Sequence, residues 1–216
     1  MVVTFINHST LLIQTEGTNI LTDPVWAKRV SPFSSVGPKR FQDPGVRFED
    51  LPDIDVVLIS HNHYDHMDLA TLRKVEAKWN PPIVVGLGNK QYLDAKGFAN
   101  VTELDWWGAY QLDSNISIVC APGQHFSSRA LSDRDNTLWC GYVIETPHGD
   151  TFFAGDTGYG EFVKRIGEKY KEFRLALLPI GAFRPQWFMG PVHISPEQAV
   201  QIYDELKVGT AIGIHH

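Results

Sequence analysis

Short apolar runs rich in β-branched residues, over 2–6, 11–15 and 19–22, are set off by polar turns and predict three short strands. Asn7-His8-Ser9-Thr10 and Glu16-Gly17-Thr18 read as the turns between them, so the three form an antiparallel meander that ends at Asp23-Pro24. Residues 25–53 break the pattern with Pro32, Pro38, Pro44 and Pro52, and with Gly37 and Gly45. They predict a long irregular loop, the kind that carries function or moves. Trp26, Phe33 and Phe41 punctuate it, either lining a substrate mouth or, the favoured reading, pinning the loop to the body.

Regular patterning resumes with an apolar, β-branched run over 54–59, a buried strand. Leu69, Leu72 and Val75 recur at helical spacing and predict a helix to about Trp79, broken by Pro81-Pro82. A strand over 83–85, a short helix over 89–95 closed by Gly97, and strands over 101–104, 110–112 and 116–120 follow. Residues 138–145 and 151–154 predict a hairpin turned at Pro147-His148-Gly149-Asp150, with His148 plain surface. The remainder reads as a helix over 162–170, a buried strand over 175–180, an aromatic-rich segment over 181–190, a helix and a strand over 210–214. Ser195-Pro196-Glu197-Gln198 has the order of a capped helix start: serine at the cap, proline first, glutamine three on. Meander then helix, twice over, predicts two mixed sheets packed face to face with helices outside, an α/β (α+β) class.

Size and composition narrow this picture. A chain of 216 residues with 43% hydrophobic content fits a single domain over 1–216, or one larger two-layered sandwich, with a core that needs no staples. Its formal charge of -6 argues against nucleic acid as a partner. Cys120 and Cys140 are the two cysteines and form no C-x-x-C, which favours buried thiols in a reducing cytoplasm over a disulfide. The first residues lack a basic leader, and no apolar run reaches the length of a membrane span, so neither a signal peptide nor a transmembrane helix is expected.

The candidate chemistry sits where predicted strands end. Ser60-His61-Asn62-His63-Tyr64-Asp65-His66-Met67-Asp68 places three imidazoles and a carboxylate between a strand and a helix. His61 and His63 share a face of extended chain, while Asp65 and His66 turn to a second position. These are good zinc ligands and too many for one ion, so two metals side by side are expected, each completed from elsewhere. His125 follows the 116–120 strand after a Pro-Gly turn, Asp156 follows the hairpin between glycines, and His215 ends the last strand. Asp23 reads equally as a cap or as an acceptor orienting a metal-bound histidine. Arg129 and Arg134, in the polar stretch 127–136, read either as contacts for an anionic substrate or, slightly favoured, as a solvated loop.

His61-Asn62-His63-Tyr64-Asp65-His66 stands as H-x-H-x-D-H, and in this the chain resembles the metallo-β-lactamase superfamily. Gly37-Pro38-Lys39-Arg40-Phe41, Glu103-Leu104-Asp105-Trp106-Trp107, Phe152-Phe153-Ala154-Gly155-Asp156-Thr157-Gly158-Tyr159 and Pro179-Ile180-Gly181-Ala182 narrow the resemblance to the N-acyl-phosphatidylethanolamine-hydrolysing phospholipase D branch. The resemblance implies a four-layer αββα sandwich and two zinc ions, with Mn2+ or Fe2+ as alternatives. It implies His61, His63 and His125 on one ion, Asp65, His66 and a late histidine on the other, and Asp156 bridging. His215 ranks above His193 as that late histidine, because a strand end fixes a ligand better than a loop; His193 matches a family position near the substrate. In the family the last strand continues as a Gly-Thr-Phe-type tail, and the animal phospholipase carries an N-terminal extension. Neither is part of this sequence, so at most peripheral contact with the inner face of the membrane is expected.

The implied reaction is attack on a small-molecule or lipid phosphodiester by a hydroxide held between two zinc ions. His193 and Tyr64 would contact the phosphate, and His193 would help protonate the leaving oxygen. Fold does not fix substrate. A lactonase acting on a small phosphorylated lactone is the enzymatic rival, and a zinc-stabilised binding module is the non-enzymatic one.

Overall fold

The computed structural model describes residues 1–31 and 36–216, which leaves Phe33 outside the described residues. The chain divides into two units, Met1–Glu103 with Ser127–Leu138, and Leu104–Phe126 with Trp139–His216.

The first unit is built on a mixed sheet in the order β1 (Val2–Asn7), β2 (Thr10–Thr15), β3 (Thr18–Thr22), β4 (Val56–Ile59), β5 (Ile83–Gly86), β6 (Val101–Leu104). The meander β1-β2-β3 is antiparallel, and β3, β4 and β5 run parallel. β1, β3, β4 and β5 therefore point the same way and end at the same edge. The helices are α1 (Leu69–Trp79) and α2 (Asn89–Ala95). α1 starts on Asp68, whose side chain accepts from the Ala70 amide, and stops at Asn80 in the left-handed region. Its Leu72 and Val75 join Val57, Ile59, Val85 and Leu93 in this unit's core.

Among the described residues of the expected loop 25–53, Phe48–Asp50 form a 3-10 turn. Trp26 does pin it: the indole meets Phe48 edge-on at 5.6 Å and donates to the Val46 carbonyl at 3.1 Å. Phe41 does not, being 99% exposed.

The second unit is a mixed sheet in the order β12 (Val208–Ile214), β11 (Phe173–Pro179), β10 (Thr151–Phe153), β9 (Gly141–Glu145), β8 (Ser117–Ala121), β7 (Ala109–Gln111). β9 is antiparallel to both β8 and β10, and β10, β11 and β12 are parallel. β8, β10, β11 and β12 thus share a direction and again end at one edge. Its helices are α3 (Phe162–Lys169), α4 (Gln186–Met189) and α5 (Pro196–Glu205). α5 carries the full capping box between Ser195 and Gln198 that the sequence predicts. The hairpin's first strand begins at Gly141 rather than 138, and the aromatic-rich segment contains the one-turn helix α4. Nothing in the spacing of residues 181–190 marks that turn, because its side chains bury nothing.

The second core gathers Val119, Val143, Phe152, Ile166, Leu178 and Ile202. Cys120 and Cys140 are buried free thiols. Their mutual hydrogen bond, with burial, pushes the Cys120 thiol up. Among the described residues no helix is long and apolar enough to cross a membrane.

α5 offers a direct test of which face carries stability. Ile202 is fully buried and Val200 is 61% exposed. Ile202→Ala should cost about 2–5 kcal/mol, and Val200→Ala within about 0.5 kcal/mol, read by urea denaturation.

Candidate metal centre

At the strand-end edge of the first unit, Asp23 follows β3 and is fully buried. Its amide donates to the Leu58 carbonyl of β4 at 2.9 Å. Its Oδ1 accepts from the Ser60 amide at 2.7 Å, and its Oδ2 from the Ser60 hydroxyl at 2.7 Å. His66 Nδ1 lies 2.7 Å from Oδ2. Burial pushes the Asp23 carboxyl above the usual range, and the His66 charge and the His66 and Ser60 hydrogen bonds pull it part of the way back. Of the two readings open for Asp23, the structure shows the acceptor that orients a histidine.

The Ser60 hydroxyl extends the network to His61 Nδ1 at 2.9 Å. With Nδ1 of His61 and His66 engaged there, Nε2 is the nitrogen each turns to the donor cluster. His61 Nε2 lies 2.8 Å from His63 Nδ1, and His66 Nε2 lies 3.7 Å from Asp65 Oδ2. His8, in the β1–β2 turn with φ +48°, adds an imidazole 3.0 Å from the same Asp65 oxygen. The sequence reading left His8 as a plain turn residue. Only the parallel direction of β1 and β4, invisible in local spacing, brings it to Asp65.

The polar loop 127–136 belongs to this unit and holds the histidine turn in shape. Arg129 Nη1 donates to the carbonyls of Asn62 and Met67 at 2.7 and 2.8 Å, bracketing His63 to His66. Its guanidinium lies 4.0 Å over the Tyr64 ring, and the Tyr64 hydroxyl donates to the Arg129 carbonyl at 3.0 Å. Arg129 is a clamp on the turn through its Nη1 and not a solvated side chain, whereas Arg134 is largely in water beside Asp135.

In the second unit Asp156 follows β10 through Gly155, whose φ of +61° glycine tolerates. Asp156 Oδ2 is a hub: His215 Nε2 lies at 3.0 Å, His125 Nε2 at 3.9 Å and His193 Nδ1 at 3.9 Å. All four residues are nearly buried. His125 donates from Nδ1 to the Val192 carbonyl at 2.9 Å, which again turns Nε2 to the donors. His193 sits between the other two rings, edge-on to His125 at 5.1 Å and stacked on His215 at 5.3 Å. The Ile194 amide donates to the Thr157 carbonyl at 2.8 Å and ties the Asp156 loop to the His193 loop, while Gln124 Nε2, beside His125, donates to the Pro191 carbonyl at 2.8 Å. Gly158 is required there, since any Cβ would run into the Pro191 carbonyl oxygen.

These donors suit metal ions. Imidazole nitrogens and carboxylate oxygens fit zinc, iron or manganese, and the hydrogen bonds on His61, His66 and His125 are the partners a ligating histidine needs. His215 is nearer the Asp156 oxygen than His193 is, although His125, Asp156 and His193 also converge within ligand distance of one another. The sequence reading missed His8 and the Val192 carbonyl; a bond to a backbone carbonyl leaves no trace in residue type.

A family model for the β-lactamase superfamily domain matches residues 18–216. The chain belongs to the metallo-β-lactamase superfamily. It is 40% identical over 98% of its length to N-acyl-phosphatidylethanolamine-hydrolyzing phospholipase D 1 of Caenorhabditis elegans, and spans 62% of that protein. It is 37% identical over 92% of its length to the mitochondrial yeast protein of the same name, and spans 44% of it. It is 31% identical to a metal-dependent hydrolase of Methanopyrus kandleri, covering 84% of that chain. Among solved structures, a possible metal-dependent hydrolase from Veillonella parvula shares the fold at a TM-score of 0.80 and 17% identity, over 99% of this chain and 84% of that one. An isothiocyanate hydrolase from Delia radicum gut bacteria does so at 0.77 and 22%, with the same coverage.

Asp23→Asn keeps the shape but removes the charge that holds the His66 tautomer. Metal affinity should fall by roughly 10–100-fold, measured by chelator competition, with the far-ultraviolet circular dichroism unchanged.

Proposed function

We propose that the chain hydrolyses a phosphodiester in the manner of a phospholipase D, with a pair of metal ions, zinc by preference. Metal dependence is a property of the family; the 40% identity to the Caenorhabditis elegans phospholipase carries the choice of a phosphodiester. In this reading the two ligand sets act on one metal pair. His61, His63 and His125 would hold one ion and Asp65, His66 and His215 the other, with Asp156 a further ligand. When bound, the pair supplies Lewis acidity, lowering the pKa of water and drawing charge from a phosphoryl oxygen.

The protein's own groups have separate tasks. Asp23 and Ser60 hold His66 and His61 in one tautomer, and the Val192 carbonyl does the same for His125. Asp156 keeps a negative oxygen among three imidazoles. His193, stacked on His215, delivers a proton to the departing alkoxide oxygen as the phosphorus–oxygen bond breaks, while water contributes the new oxygen on phosphorus. Tyr64 has its hydroxyl on the Arg129 carbonyl and helps hold the histidine turn.

Asp156→Asn should abolish metal retention and hydrolysis together. Zinc-loaded protein should cleave bis(p-nitrophenyl) phosphate and leave lactones intact, and dialysis against a chelator should remove that activity until metal is restored. Turnover of a phosphorylated lactone without phosphodiester cleavage would favour the lactonase, and stoichiometric metal without turnover of either would favour a binding module.

A further inference from the structure

Beside the histidine turn, the first unit contains a small pocket of about 190 Å³ that the proposed hydrolysis does not use. Arg29 and Arg129 both line it, with Ser31, Tyr64 and the start of α1. Both arginines are half-buried. Among the described residues, neither guanidinium is ion-paired with a carboxylate. Arg29 has Nη1 on the Gly37 carbonyl at 2.6 Å, and Arg129 has Nη1 on the Asn62 and Met67 carbonyls. These bonds fix both forks in place while leaving other N–H groups of each uncommitted. The acidic residue that lines the pocket, Asp68, spends its oxygens elsewhere: Oδ1 on the Ala70 amide, Oδ2 on the Ala27 amide at 3.1 Å and the Thr71 hydroxyl at 2.6 Å.

Two arginines and one carboxylate, Asp68, line the pocket, so its lining carries a net positive charge in a chain of net charge -6. An anion suits that charge. Planar forks approaching from two residues match a tetrahedral oxyanion, which has enough acceptor oxygens for both, better than a carboxylate with two. We propose that the Arg29–Arg129 pocket is a binding site for a phosphoryl group, distinct from the metal ligands. The group is either free inorganic phosphate or a phosphate monoester carried by the substrate, and the chemistry of recognition is the same for both.

The site can be tested without any hydrolysis. Metal-loaded protein is titrated with inorganic phosphate by calorimetry, with Arg29→Gln, Arg29→Lys and Arg134→Gln compared against wild type and metal content checked in each. Arg29→Gln should weaken this phosphate site roughly tenfold or more, Arg29→Lys less, because charge without the fork remains, and Arg134→Gln not at all. Phosphate held at the metals contributes equally to every isotherm. A wild-type isotherm matching that of Arg29→Gln at equal metal content overturns the site, as does equal weakening by Arg134→Gln. If a diester bearing an added phosphate monoester displaces phosphate from the Arg29-dependent site, the group belongs to the substrate. If it does not, the free ion is the ligand.

Discussion

A carboxylate cut off from water must have its charge answered by neighbours, and Asp23 is the point at which this chain meets that demand. Its oxygens take a backbone amide, a hydroxyl and an imidazole, all from residues 60–66. The cost of burying the charge is what makes the arrangement specific: each partner is needed, so the strand end after β4 has one way to sit against the strand end after β3. His61 and His66 inherit their orientation from that bond network, and the remaining donors of the turn are placed relative to them.

Direction does for the edges what Asp23 does for single rings. Each sheet runs its ligand-bearing strands the same way, so side chains from distant parts of the chain end at one edge without any being long. The donor-bearing ends also hold residues in the left-handed region: His8, Asp23 and His215 all have positive φ without being glycine. That conformation is uncommon for side-chain-bearing residues and turns the chain sharply at the end of a strand.

Much of this was legible beforehand. Periodicity located nearly every strand and helix, and the density of histidine and aspartate at strand ends picked out the donors. The start of α5 was readable to the residue, because capping is local chemistry. What escaped was whatever depends on a neighbour far along the chain. Asp23 could be a cap or an acceptor until β4 was laid beside β3. Arg129 gave no sign of its clamp, since nothing nearby says that one arm of its fork will close on the carbonyls of residues 62 and 67. His8 sits among turn-formers and has no local signature. The one-turn helix α4 buries none of its residues, so no apolar rhythm announces it.

The missing side chain at Gly158 has a mechanical consequence. Because the Pro191 carbonyl occupies the space a Cβ would take, and the Ile194 amide bonds the Thr157 carbonyl beside it, the segments bearing Asp156 and His193 are keyed together. Neighbouring residues 184–188 lie mostly in water. Substitutions can accumulate in that exposed aromatic stretch while the keyed piece passes unchanged from one descendant to the next.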